Sequence, residues 1–536
     1  MKKYFINNKN ICIKYLFLMI MNGLIPVFSA QWITWVTGYA LGENDELVNL
    51  ALSLAFMSGY TIIVYLSYDR IKRKYKESMM IEIEQEMMDA VVLQPQQSFH
   101  RYDSSFYTSF FLNDLKMLED SYFSQVPTLI SGIVQIIFTS VYVVVSVNGW
   151  ILLYFILSSF ILLWIPKYMS QKIQEKAQFA TKQAGELTAF LKETFQGFDT
   201  LAGNNVQELY TEHSLDHFLH YELAKQKVNW LTMISSSLSN GCGLFFQFVL
   251  LFILAICVTE GKIKAEYLIS ITSISGTFMN GVFTITEAFS NLQTSRPIIK
   301  KVQEFQNNPR ISSEKKRSSV KYIVLKNVDY SINNKVLIDN CSYVFEKGKK
   351  YLIIGKSGSG KSTLFNLLNG RISCNKGKIE FRKLNHDSCS FPLYEEITTI
   401  SQKPVSFQGT VKTNIQMNRF LDDKKIKKLL EKVNLPLSVL DQPITEDNTS
   451  VSGGELQRIS IARALADPRS FLLCDEITAN IDPNSASIVE HAVTSVKETG
   501  ILYIAHHYTK ETIKRFDVIL ELKNGKLIDV TSQFNN

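Results

Sequence analysis

The octapeptide Gly355-Lys356-Ser357-Gly358-Ser359-Gly360-Lys361-Ser362 decides how the second half of this 536-residue chain must fold. The apolar run Tyr351-Leu352-Ile353-Ile354 leads straight into it, and Ser362–Leu368 opens as a helix. Strand, Gly-rich loop and helix in that order are the context a phosphate-binding loop requires. Gly355, Gly358 and Gly360 let backbone N–H groups curl around phosphate oxygens, and Ser357 lies in the same loop. Lys361 is expected to reach the β- and γ-phosphates, the Ser362 hydroxyl to bind Mg²⁺, and Thr363 to contact phosphate. Downstream, the apolar strand Phe471-Leu472-Leu473-Cys474 ends in Asp475-Glu476. Asp475 is placed to bind Mg²⁺ through water, and Glu476 to orient or deprotonate an attacking water. Phosphoryl transfer depends mainly on positioning and charge, so these parts suffice for hydrolysis of a nucleoside triphosphate.

Working outward, the chain is too long for one compact domain. A mean hydropathy near zero hides two unlike halves: strongly apolar before Leu292, rich in Lys, Asp, Glu and Asn after Pro309. The net charge of +7 sits largely in short clusters beside apolar runs, a membrane-orientation pattern rather than a nucleic-acid stripe. Seven cysteines include no C-x-x-C pair, which argues against a disulfide scaffold and for reduced thiols.

Six stretches approach or exceed the length needed to cross a bilayer, about 20 residues. They are Tyr15–Leu41, Leu47–Tyr68, Thr128–Val147, Trp150–Ile165, Leu231–Val258 and Leu268–Thr286. The first carries a weak signal-peptide look, but its apolar run continues to Leu41, too long for an h-region, and reads as a retained span. Lysines and arginines crowd the segments before span one and after spans two, four and six, and the opposite loops are poorer in them. Both termini are therefore expected in the cytosol. The inner loops Asp69–Phe123 and Pro166–Asn229 are charged, poor in Pro and Gly, and read as helix that carries the bundle into the cytosol. The boundaries expected are a membrane domain over 1–306, a polar linker over 307–320 and a nucleotide-binding domain over 321–536.

Val451-Ser452-Gly453-Gly454-Glu455, followed by Gln457-Arg458-Ile459, adds the decisive motif. Together with the phosphate loop, Asp475-Glu476 and the six spans, it makes the chain resemble the half-transporters of the ATP-binding cassette exporters. The resemblance implies a membrane α-helical bundle of six transmembrane helices with long cytosolic extensions, followed by an α/β P-loop NTPase domain. It also implies a role for further residues. Gln402, in Thr399-Ile400-Ser401-Gln402, matches the glutamine that senses the γ-phosphate and joins Ser362 and Asp475 around Mg²⁺. Ser452, Gly453 and Gly454 would bind ATP held by the other subunit. Asp482 matches the loop linking two sites, and His506 matches the switch histidine at the γ-phosphate. The stretches near Ser98–Phe106 and Thr194–Ala202 match the short helices that dock on the cassettes.

Four features depart from the family pattern. Cys474 replaces a common Leu in its strand, a packing change. Glu455 stands where many members have Gln. The segment Thr445–Ser450 lacks the usual glycines. The aromatic that stacks adenine is replaced by Ile332, and Tyr330, two residues earlier on the same strand face, is the substitute candidate. The resemblance implies ATP-driven export across a bacterial cytoplasmic membrane by alternating access, with ATP and Mg²⁺ as cofactors. One chain supplies half of the machine, so a second half-transporter is expected, as a homodimer or with a similar partner. Cargo is expected to be a peptide, a bacteriocin or a hydrophobic small molecule, and Glu287 near the end of span six is placed either to meet a cationic one or to sit at the cytosolic interface. Only Met1–Lys14 precede span one, so peptide cargo would be matured elsewhere. A lipid flippase, or a membrane-anchored regulatory ATPase without transport, are the alternatives.

Overall fold

In a computed structural model the described residues are 1–42, 47–147, 149–310, 320–333, 335–383, 388–389, 396–445, 451–478, 481–505 and 508–534. They form two compact units, Met1–Asp89 with Ser105–Asn307, and Ala90–Ser104 with Asn308–Asn536.

The first unit is helical. A short helix α1 (Lys2–Asn7) precedes α2 (Lys9–Ala40) and α3 (Leu47–Val92). After α4 (Gln96–Phe99), which belongs to the second unit, come α5 (Ser104–Ser146), α6 (Gly149–Gln196), α7 (Phe198–Gly203), α8 (Gln207–Thr259), α9 (Tyr267–Thr294) and α10 (Arg296–Asn307). Six of them, α2, α3, α5, α6, α8 and α9, are long and apolar enough to cross a membrane. Each covers one of the stretches predicted from sequence, two of which (Tyr15–Leu41 and Thr128–Val147) run one residue past the helix end. The charged inner loops are helical as expected: α3, α6 and α8 run unbroken for 46, 48 and 53 residues, about 70–80 Å at 1.5 Å per residue. Phe56, Phe160, Trp164 and Phe252 point outward, as lipid-facing side chains do.

Two features escape sequence reading. The first is α5, which contains two π-helical segments, Phe110–Asp114 and Glu119–Phe123, on its charged half. The second is the N-terminus, where Tyr4 is fully buried and edge-on to Phe123. Its hydroxyl donates to Glu86 Oε2 at 2.8 Å and accepts from Gln306 Nε2 at 3.1 Å. One aromatic side chain thus ties α1 to the far end of α3 and to α10.

Helices α5 and α9 approach closely at two glycines. A Cβ on Gly132 would lie 2.8 Å from Ile285 Cγ1 and 3.0 Å from the Gly281 carbonyl oxygen. A Cβ on Gly281 would lie 3.0 Å from Ile136 Cγ1 and 3.2 Å from the Gly132 carbonyl oxygen. In lipid, where apolar surface alone gives helices no reason to associate, such small-residue contacts supply the packing.

The second unit holds two sheets. β1 (Val320–Ile332), β2 (Lys335–Glu346), β4 (Lys376–Lys383) and β5 (Ser388–Cys389) form an antiparallel sheet in the order β2-β1-β4-β5. The other sheet contains β3 (Lys350–Ile354), β6 (Ile397–Ile400), β9 (Phe471–Asp475), β10 (Gly500–Ile504), β11 (Val518–Lys523) and β12 (Lys526–Asp529). Its order is β12-β11-β3-β10-β9-β6, parallel except for β12. A two-stranded ribbon pairs β7 (Gly409–Thr410) with β8 (Pro443–Ile444). The α-helices are α11 (Lys361–Leu368), α12 (Val411–Gln416), α13 (Asp423–Lys432), α14 (Gly453–Ala466), α15 (Pro483–Thr494), α16 (Lys510–Ile513) and α17 (Thr531–Phe534). Strands β3, β9 and β10 are buried on both faces, which is why they read as continuous apolar runs.

Part of the first stretch expected to dock on a cassette packs in this second unit. Gln97 Nε2 donates to Ser373 Oγ. His100 is held below its ordinary pKa by burial and by the neighbouring Arg371 charge. The second stretch forms the tip between α6 and α8, with Phe195 and Phe198 exposed. The polar linker expected over 307–320 lies mostly outside the described residues.

Replacing Gly281 by Leu forces α5 and α9 apart and is expected to cost about 1–3 kcal/mol, the usual range for overpacking. The check is a thermal melt in detergent followed by size-exclusion chromatography. Gly281→Ala, with one methyl group at 3.0 Å from Ile136, is expected to fall between Leu and wild type.

Candidate functional site

The parallel sheet fixes the site by register. Ile504 of β10 pairs with Ile353 on one side and Asp475 on the other. The phosphate loop, the Asp475-Glu476 turn and the residue after Ile504 therefore leave the carboxyl ends of three adjacent strands. Ligands of open α/β sheets bind at such an edge.

The loop has the backbone its glycines were predicted to supply. Gly355, Gly358 and Gly360 have φ of 153°, 75° and 101°. A Cβ on Gly360 would come within 2.9 Å of the Leu337 carbonyl oxygen, and one on Gly355 within 2.8 Å of the Leu522 carbonyl oxygen. Gly360 caps α11, whose N–H groups open toward the loop. Lys361 is buried, with only 5% of its surface exposed, and folds over the loop. Its Nζ donates to the carbonyls of Gly355 at 2.8 Å and Lys356 at 3.1 Å. Burial pushes the Lys361 ammonium down, and the carboxylates of Glu476 and Asp475 push it back. Ser359 Oγ is buried with no hydrogen-bond partner. A buried cation, N–H groups at a helix end and an unmet hydroxyl fit a polyphosphate. Ser357 is exposed on the loop, Ser362 is exposed in the first turn of α11, and Thr363 is half-buried.

Glu476 stands on strained backbone. Its φ is 49°, a left-handed conformation that costs a non-glycine residue roughly 1–3 kcal/mol and is kept only where the surroundings impose it. Its N–H donates to the Ile504 carbonyl at 3.1 Å, and its Oε2 accepts from Gln402 Nε2 at 2.9 Å. Gln402 and Glu476 are therefore brought together. Among the described residues no group of three or more His, Cys, Asp or Glu side chains could hold a metal ion alone. The Ser362 hydroxyl, the Gln402 amide and the Asp475 carboxylate are the hard oxygen donors Mg²⁺ takes, and that ion typically completes its shell with phosphate and water.

Ser452, Gly453 and Gly454 start α14. Among the described residues no hydrogen bond joins them to the phosphate loop. Ser452 and Gly453 are exposed. Glu455 is explained locally: its Oε2 accepts from the Ser452 N–H and hydroxyl at 2.8 Å each, while Ser452 Oγ accepts from the Glu455 N–H. These bonds hold the Glu455 carboxyl below the usual range. This is a capping box, legible in Ser452-x-x-Glu455 but not recognised from sequence. Asp482 caps α15 through the Ser485 N–H at 2.9 Å and lies 3.8 Å from Arg458. His506 lies outside the described residues.

Tyr330 is half-buried and packs on the core shared by the two sheets. Ile332, at the strand end, is 51% exposed. The exposed position beyond Tyr330 thus carries no ring.

Comparison with known proteins agrees with this geometry. The ABC transporter transmembrane region family matches residues 10–282, more than half of the chain, and the ABC transporter family matches residues 338–479. A probable multidrug resistance ABC transporter ATP-binding/permease protein of Bacillus subtilis is 23% identical over 512 residues, 90% of this chain and 72% of that protein. A lacticin-481/lactococcin-DR transport/processing ATP-binding protein of Lactococcus lactis is 27% identical over 386 residues, 67% of this chain and 52% of that one. A bacterial Atm1-family ABC exporter with ATP bound shares the fold, with a TM-score of 0.82 at 14% identity over 97% of this chain and 94% of its own. The chain belongs to the ABC transporter family: it is a multi-pass membrane protein with an ATP-binding cassette that couples ATP hydrolysis to transport.

Proposed function

We propose that the chain is half of a homodimeric exporter of the bacterial cytoplasmic membrane, with both termini and the cassette in the cytosol. Its cargo is a peptide, such as a bacteriocin, or a hydrophobic small molecule. The domain boundaries proposed are 1–306 for the membrane half, 307–320 for the linker and 321–536 for the cassette. The observation that carries the reading is the Gln402–Glu476 contact beside Lys361, on a chain that also supplies six membrane-length helices.

Bound ATP and Mg²⁺ supply the scissile phosphoanhydride and the charge that neutralises it. The chain's own residues do the rest. Gly355, Ser357, Gly358, Gly360, Lys361 and Thr363 bind the phosphates, and Ser362, Gln402 and Asp475 hold the metal. Glu476 orients water and takes its proton, while His506 steadies the γ-phosphate. Ser452, Gly453 and Gly454 complete the site of the opposite subunit, and Asp482 links the two. The exposure of Ser452 and Gly453 within one chain supports that arrangement. Closure of the cassettes around ATP then biases the helices between inward- and outward-open states. Glu287 is exposed on α9, which suits contact with a cationic cargo. The Lactococcus relative, named for transport of a bacteriocin, supports a peptide.

Glu476→Gln in the chain purified and reconstituted alone is expected to lose at least about 100-fold in turnover, as removal of a general base does. ATP-dependent self-association should persist. Wild-type turnover by this variant would reject the role of Glu476, and absence of any turnover by the wild-type chain alone would reject the homodimer. Flux into sealed vesicles separates the cargo classes: peptide uptake supports export, whereas movement of labelled lipid alone identifies a flippase, and hydrolysis without flux a regulatory ATPase.

Ile332→Tyr restores a ring at the exposed strand end. It is expected to tighten ATP binding by about 1 kcal/mol, the low end of base–aromatic stacking, or about fivefold in Kd, measured with a fluorescent ATP analogue. Tyr330→Leu should change that affinity only if Tyr330 stacks on adenine.

A further inference from the structure

The Glu476 turn is held from both sides, and the two ties come from the same strand. Upstream, β9 pairs with β10, and the Glu476 N–H meets the Ile504 carbonyl at 3.1 Å. Downstream, Ile477 is fully buried and the Thr478 hydroxyl lies 3.2 Å from the Tyr503 hydroxyl. Tyr503 is itself fully buried and stands opposite Cys474 in the register. Its hydroxyl donates to Glu490 Oε1 of α15 at 3.4 Å. A phenol has one proton, so Thr478 must be the donor in its bond to Tyr503. The chain of donors runs Thr478 to Tyr503 to Glu490.

Glu490 is a firm end point. Its Oε2 accepts from Thr512 Oγ1 at 3.1 Å and lies 3.5 Å from Arg515 Nη1. Arg515 is anchored in turn on the Ser487 carbonyl at 2.8 Å and hydroxyl at 2.9 Å. Burial pushes the Glu490 carboxyl up, and the donors around it pull it back. A buried carboxylate on a helix behind the sheet is costly unless every such partner is in place. The site as described above makes no use of it.

We infer that Tyr503, relayed by Thr478 and braced by Glu490, is a positioning residue that fixes the strained Glu476 turn and so aims its carboxylate at the reacting phosphate. The inference rests on the role proposed for Glu476. Positioning explains why a phenol is buried in a strand whose other inward positions, Ile501, Leu502 and Ile504, are aliphatic. It also explains why the hydroxyl meets Thr478, two residues after Glu476, rather than solvent.

The test is Tyr503→Phe in the reconstituted full-length chain. The ring and its packing remain, and only the hydroxyl is lost. Expected are a fall in kcat of about tenfold, since small misplacements of catalytic groups cost one to two decades, and an unchanged KM and Kd for ATP and melting temperature. Thr478→Val should reproduce the loss, and the double variant should add little to either, because the two act in one chain. In a Glu476→Gln background, Tyr503→Phe should no longer change the residual rate. Unchanged kcat in Tyr503→Phe overturns the inference. So does a loss matched by weaker ATP binding and a lower melting temperature, or one that persists in the Glu476→Gln background. If Glu476→Gln itself turns over like wild type, the reading of Glu476 fails first and takes the inference with it. A dead Glu476→Gln beside an unaffected Tyr503→Phe leaves that reading standing and removes only the inference.

Discussion

The parallel register of β3, β10 and β9 is the constraint on which the cassette depends. A slip of one residue would turn Leu352, Ile353, Leu472, Leu473, Leu502 and Tyr503 to the wrong faces of a sheet buried on both sides. Two distinct cores, one on each face, forbid that slip. Once register is fixed, the ends of the strands are fixed too, and with them the phosphate loop after Ile354 and the turn after Asp475. The chemistry is thus placed by hydrophobic burial several residues away from it. Little of the site's geometry has to be maintained by the site itself, except at Glu476, where left-handed backbone needs its own restraints.

The membrane half obeys a different rule. Apolar surface there meets lipid as readily as another helix, so packing depends on shape and on satisfied polar groups. Gly132 against Gly281 supplies the shape. Thr34 near the Tyr142 hydroxyl at 3.3 Å, and Tyr154 donating to the Phe246 carbonyl at 2.6 Å, supply cross-helix polar contacts. The extended halves of α3, α6 and α8 leave the apolar segment as charged helix, so their ends are fixed by other contacts. At the N-terminus the buried Tyr4 does this by joining α1, α3 and α10 through Glu86 and Gln306.

What could be read from sequence follows from these two rules. Spans, helical extensions and the strand before the phosphate loop were legible because composition or a motif of fixed geometry encodes each, whereas the Gln402–Glu476 hydrogen bond appears only in the fold. The π-helical segments at Phe110–Asp114 and Glu119–Phe123 were not, since their sequence has ordinary helical character and the extra residue per turn reflects packing. The capping role of Glu455 was legible in Ser452-x-x-Glu455 but was hidden by comparison with a family position usually held by Gln. Tyr503 and Glu490 were not legible at all. A tyrosine in an apolar strand and a glutamate on a helix gain meaning only when the fold brings them within 3.4 Å.

Ile332 brings these threads together. At the end of β1 an exposed aliphatic stands where the family carries a ring, and Tyr330 is occupied with the core. A nucleotide site without base stacking must take its affinity from the phosphates. The buried Lys361 and the positive-φ glycines are suited to that, because desolvated charge-assisted hydrogen bonds are the strongest polar contacts a protein makes. Such a site binds through the same atoms that react, so any displacement of the loop or of the Glu476 turn is felt in chemistry as well as in binding. That raises the value of restraints behind the turn. A site that took its affinity from the phosphates alone would have the more reason to brace the carboxylate proposed to be catalytic, Glu476, from the core through Thr478, Tyr503 and Glu490.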